Sequence, residues 1–88
     1  MNFQFNQISS GLKTIKIDGG YHKVTYSVCV YDNIIQAVMS LNSMPEVKAE
    51  DVRSLTGECP VDMAEEMIRA LVDDIKVFLQ NLNDQESA

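Results

Sequence analysis

His22 is the one histidine in this chain of 88 residues, so any Ser–His–Asp or Cys–His machinery would have to be built on it. It stands beside the glycine pair 19–20 at a strand end, and no nucleophile motif surrounds it. An edge histidine open to solvent is the expectation. Cys29 and Cys59 are far apart and, with His22, show no metal-ligand spacing, so no metal site and no cofactor are expected. "DGG" at 18–20 signals a turn and lacks the glycine spacing of a phosphate loop. The carboxylate pairs Glu50–Asp51, Glu65–Glu66 and Asp73–Asp74 are the remaining candidates for acid–base chemistry. Neighbours on a helix diverge by about 100°, which places each pair on a solvated face rather than around a shared proton. The expectation is a protein that is not an enzyme.

Those residues must be positioned by a small framework. A chain this short buries only about 60–65% of its unfolded surface, so its core is modest. At 45% hydrophobic and 23% charged the composition is that of an ordinary globular protein, with no apolar run long enough to span a membrane and no secretion signal. A cytoplasmic protein with two reduced thiols is expected.

The first third reads as strands. In HKVTYSVCVY, Val24, Tyr26, Val28 and Val30 alternate with Thr25, Ser27, Cys29 and Tyr31. LKTIKI and NFQFNQI alternate in the same way. A hairpin turn at Ser9-Ser10-Gly11 would oppose Ile8 to Leu12, Phe5 to Ile15 and Phe3 to Ile17. A second turn at Asp18-Gly19-Gly20-Tyr21 would oppose Ile17 to His22, Ile15 to Val24, and Lys16 to Lys23. Only even shifts of that register keep the apolar residues on one face.

The rest reads as helices. Asp32 can cap NIIQAVMSLNS, with Ile34, Ala37, Val38 and Leu41 as its stripe and Pro45 closing it. AEDVRSL reads as a short second helix showing Val52 and Leu55, stopped by Gly57. Pro60 then opens a long helix with the stripe Ala64, Met67, Ile68, Leu71, Val72, Ile75, Phe78, Leu79 and Leu82, with Met63 and Val77 lying off it. The expected fold is α+β: a three-stranded antiparallel meander, two short helices and one long C-terminal helix packed on the sheet. Residues 1–83 form one domain, with 84–88 as a polar tail. The helix is long for so small a body, which admits a homodimer through it.

Residues 51–67, DVRSLTGECPVDMAEEM, look like the centre of a bacterial helix-turn-helix, with Gly57 ending one helix and Pro60 starting the next. Arg53 stands where such motifs keep a small residue, and Asp62, Glu65 and Glu66 stand where side chains would approach bases and phosphates. Residues 46–66 hold seven acids against Lys48 and Arg53, the wrong sign for DNA. No direct nucleic-acid binding is expected.

Charge supports a different partner. The net charge is −6; residues 1–31 carry Lys13, Lys16 and Lys23 against Asp18, while residues 32–88 carry twelve acids against four bases. A small acidic protein without a catalytic set suits a basic protein surface, reached by electrostatic steering. In size and charge it is similar to bacteriophage inhibitors of CRISPR or restriction machinery, immunity proteins and antitoxins. That similarity implies a nuclease or other nucleic-acid-handling partner. The candidate partner-binding residues are Glu46, Glu50, Asp51, Glu58, Asp62, Glu65 and Glu66. A transcriptional regulator built on the 51–67 corner and a self-assembling module built on the long helix are the alternatives.

Overall fold

The computed structural model describes residues 6–17 and 20–86. Four strands are followed by one helix: β1 (Asn6–Ile17), β2 (Gly20–Tyr31), β3 (Ile34–Leu41), β4 (Lys48–Ser54) and α1 (Pro60–Glu86). Consecutive strands pair antiparallel in the order β1-β2-β3-β4, and α1 packs across one face of this meander. The α+β class and the long C-terminal helix are as the sequence indicates. The strand count and the short helices are not.

The core lies between sheet and helix. On the sheet it comprises Ile15, Ile17, Val24, Val28, Ile35, Ala37, Met39 and Leu41, all buried. The helix supplies Met63, Ala64, Met67, Ile68, Leu71, Ile75 and Leu79. Phe78, expected on the buried stripe, is 41% exposed, whereas Met63, expected off it, is buried. Val72 is half-buried against the core. The other face of the sheet has no helix over it among the described residues, which is the common state of an antiparallel meander.

Ser9-Ser10-Gly11 does not turn; β1 runs straight through it, so Ile8 and Leu12 do not face one another. Gly11 lies opposite Tyr26, and a Cβ there would come 3.1 Å from the Tyr26 hydroxyl oxygen, so the glycine admits the ring rather than bending the chain. A bulge between Gln7 and Ser9 leaves Ile8 as the extra residue, partly buried against the core. Phe3 and Phe5 lie outside the described residues, as do Asp18 and Gly19 of the second expected turn. The β1–β2 register pairs Ile17 with Gly20 and Ile15 with His22, two residues away from the expected one. The shift is even, so Ile15, Ile17 and Val24 keep the buried face. It also sets Lys16 opposite Tyr21 instead of Lys23, with the ammonium 5.8 Å from the ring centre.

The expected helix from Asn33 to Ser43 is strand β3. Tyr31 pairs with Ile34, so Asp32 and Asn33 form a two-residue hairpin turn, and Asp32 takes a φ of 55° instead of capping a helix. Pro45 turns the chain from β3 to β4 as the second residue of a tight turn closed by Val47 N–H donating to the Met44 carbonyl at 2.9 Å. The expected second helix is β4, paired with β3 from Ser40–Lys48 to Ile34–Ser54. The helix-turn-helix geometry is therefore absent: residues 51–59 are a strand end and a loop. Gly57, at φ 75°, still breaks the chain, and Pro60 still opens the helix.

At about 1.5 Å per residue, 27 residues of α1 span about 40 Å, and the helix runs on into the segment read as a polar tail. The molecule is elongated, 51 × 24 × 18 Å with a radius of gyration of 14.6 Å, against about 12 Å for a rounded domain of its size. No helix of the described residues is long and apolar enough to cross a membrane.

Candidate functional site

The seven acidic residues singled out in the sequence fall on several surfaces. Glu46 lies in the β3–β4 turn and Glu58 in the β4–α1 loop, so the full length of β4 separates them. Glu50 is exposed on the open face of the sheet, opposite Val38. Asp51 is on the helix-covered face, opposite Ala37, and its carboxylate accepts the Arg53 Nε–H at 2.9 Å. That pair is half-buried along the β4 edge, where inward-pointing charge hinders a further strand from adding.

Asp62, Glu65 and Glu66 come together on α1. All three are exposed, as are Asp73 and Asp74 two turns on. Asp62, Glu66, Asp73 and Val77 recur at intervals of four, seven and four, which sets them along one side of the helix, away from the core residues. The helix as a whole carries seven acids against Arg69 and Lys76. Asp62 lies in its first turn, where the helix dipole favours a carboxylate. The open sheet face has the opposite balance, with Lys16, Lys23 and Lys48 against Glu50. Exposed Val61, Val77 and Phe78 interrupt or border the acidic surface of α1.

A second feature was not legible in the sequence. A groove of about 930 Å³ runs between β1 and α1, and its charged lining is Lys13, Lys16, Arg69 and Lys76 with Glu65 and Asp73. Four of the seven basic residues of the chain border it, Lys13, Arg69 and Lys76 together with Lys16, which alternates onto the open face of β1. The groove exists because one helix, about 10 Å across, cannot cover four strands spaced about 4.8 Å apart. On the β4 side the Asp51–Arg53 pair takes the inward edge positions opposite Ala37 and Ile35, and Leu55 packs against the core. On the β1 side the inward positions Ser9 and Gly11 have little bulk, and the margin stays open. Ile68 and Val72 form apolar wall, with Tyr26 at the β2 side.

The Lys13 ammonium sits 5.9 Å from the Tyr26 ring centre. Arg69 has an exposed i,i+4 contact with Glu65 at 3.8 Å, a pair worth about 0.3–0.5 kcal/mol at most. Among the described residues, no carboxylate lies within ion-pair distance of Lys13, Lys16 or Lys76. Two lysines near the N-terminus and two bases near the C-terminus share no local motif. Only the return of α1 along β1 assembles them.

His22 is half-buried opposite Ile15, Cys29 is partly buried and Cys59 is exposed, both as free thiols. No three His, Cys, Asp or Glu side chains among the described residues group closely enough to hold a metal ion. Comparison with protein-family models, with curated proteins and with solved structures gave no match.

Proposed function

We propose that this chain is a non-catalytic protein-binding module whose acidic helix docks on a basic surface of another protein. The observation that carries the reading is the exposed side of α1, where Asp62, Glu66 and Asp73 follow one another with Glu65 and Asp74 alongside. A rigid helix fixes the spacing of these carboxylates, so they present a patterned field rather than a diffuse one. Val61, Val77 and Phe78 add apolar area within or beside that field. Charge sets the approach rate and the choice of partner, while the desolvated apolar contacts supply most of the affinity. Proteins that handle nucleic acid carry the complementary basic surfaces, which makes a nuclease or a nucleic-acid-binding complex the fitting partner.

The test is affinity capture with the intact chain at about 50 mM salt, followed by elution at about 300 mM, where the screening length is shorter. A chain carrying D62K and E66K is run in parallel. A specific partner should be captured by the first chain only, with affinity reduced at least ten-fold by the double reversal. Equal capture by both chains would sink the proposal.

A further inference from the structure

We propose that the groove between β1 and α1 receives an extended acidic segment of a partner protein, which adds to the sheet as a fifth strand beside β1. Three observations meet there. First, the groove lining sets Lys13, Lys16, Arg69 and Lys76 against Glu65 and Asp73 in a chain whose net charge is −6, and Lys13, Lys16 and Lys76 have no carboxylate within ion-pair distance among the described residues. An excess of cations over carboxylates in one cleft of an otherwise acidic protein favours a carboxylate-bearing ligand there. Secondly, β1 is an edge strand of 12 residues with β2 on one side and no described strand on the other. Its outward N–H and C=O groups are a template for main-chain pairing, and the groove lies along that edge. Thirdly, the opposite edge is built differently: β4 is only 7 residues long and carries the inward Asp51–Arg53 pair. Of the two edges, β1 is the one left accessible.

The pattern of the ligand follows from strand geometry. From Ser9 to Lys16 the edge extends about 23 Å at about 3.3 Å per residue, room for some eight residues. Side chains of an added strand alternate, so every second one would enter the groove. Those that enter meet Ile68 and Val72 and the cations Lys13, Arg69 and Lys76, which favours glutamate or aspartate interspersed with aliphatic residues. A second copy of this chain is disfavoured, because β1 carries Lys13 and Lys16 and no acid, so two β1 edges brought together repel. Nucleic acid is disfavoured by Glu65 and Asp73 in the groove wall and by the overall charge. Glu65 and Asp73 border both surfaces, but Asp62 and Glu66 do not line the groove, so reversing those two carboxylates tests the acidic side of α1 apart from the groove.

The experiment uses the full chain and an eight-residue fluorescent peptide alternating glutamate with valine or threonine. Fluorescence anisotropy at low salt should show saturable binding, weakened at least ten-fold by K13E or by R69E. Circular dichroism checks that each variant folds, and the double substitution D62K with E66K should leave this binding intact. A peptide of the same sequence, N-methylated at alternate residues, keeps the charges but cannot complete the ladder; it should lose binding. Amide hydrogen exchange should slow along β1 and not along β4. No binding at millimolar peptide overturns the proposal, as does equal binding of a lysine-for-glutamate peptide or of the N-methylated one. Tighter binding of a single-stranded oligonucleotide, or self-association abolished by K13E, also overturns it.

Discussion

Asp32 holds a φ of 55°, in the left-handed region where a β-branched side chain meets its own carbonyl. Threonine is a fair helix cap but a poor left-handed residue, so D32T separates a cap from a hairpin turn. The hairpin predicts a loss of about 1–2 kcal/mol in a denaturant titration. A loss under about 0.5 kcal/mol, the scale of an ordinary surface change, would contradict it. Gly11 makes a comparable point on β1, since its missing Cβ leaves room for the Tyr26 ring 3.1 Å away. Alanine at position 11 should cost more with Tyr26 present than in a Y26A background. The double-mutant cycle should give a coupling of about 0.5–1.5 kcal/mol, and additivity within about 0.3 kcal/mol would mean that the ring simply moves aside. The Asp32–Asn33 pair was readable as a turn, being two residues of turn chemistry between two apolar runs. The role of Gly11 was not, because its partner lies on another strand.

At the scale of elements, Ile34–Leu41 satisfies two periods at once. Ile34, Ala37, Val38 and Leu41 make a helical stripe, while Ile35, Ala37, Met39 and Leu41 make an alternating one, and a short apolar run does not decide between them. The strand wins because β2 and β4 flank it with main-chain partners over its length. The two periods predict opposite sensitivities. I35A should cost about 2–5 kcal/mol, since Ile35 is fully buried, while I34A, at a side chain 41% exposed, should cost less than about 1 kcal/mol. The reverse ranking in thermal or denaturant unfolding would restore the helical reading. β4 was harder still. Its inward positions are Ala49, Asp51 and Arg53, so the charged edge pair erases the hydrophobic alternation that identifies a strand. By contrast α1 was legible over nearly all its length, with Pro60 at its start and a sustained period of 3.6.

The whole molecule is two unequal layers, a four-stranded sheet and a single helix, with charge divided between them. Asp62 and Glu66 stand one turn apart on α1, and like charges at that spacing cost about 0.2–0.5 kcal/mol. E66K converts the repulsion into an attraction and reduces the net charge, so it should leave the melting temperature unchanged or slightly raised. A clear fall in a thermal melt would show that Glu66 has a structural role and would disqualify it as a probe of partner binding. The acidic character of the C-terminal half was fully present in the sequence. Its arrangement was not: of the seven singled-out acids, three come together on α1, while Glu46 and Glu58 lie in a turn and a loop and Glu50 and Asp51 on opposite faces of β4.

The amino-acid order by itself determined the strand-first, helix-last class and the buried side of Ile15, Ile17 and β2, which survives any even shift of register. It also determined the break at Gly57, the helix start at Pro60 and the polarity of charge. These are local properties, written in periods of two and 3.6 and in the φ preferences of single residues. The tertiary structure alone decided that residues 34–41 and 48–54 are strands and that Lys13, Lys16, Arg69 and Lys76 share a groove. Both depend on main-chain pairing and layer packing between segments distant in sequence. A lone helix too narrow for its sheet then leaves one edge open, and it is the edge where the basic residues meet.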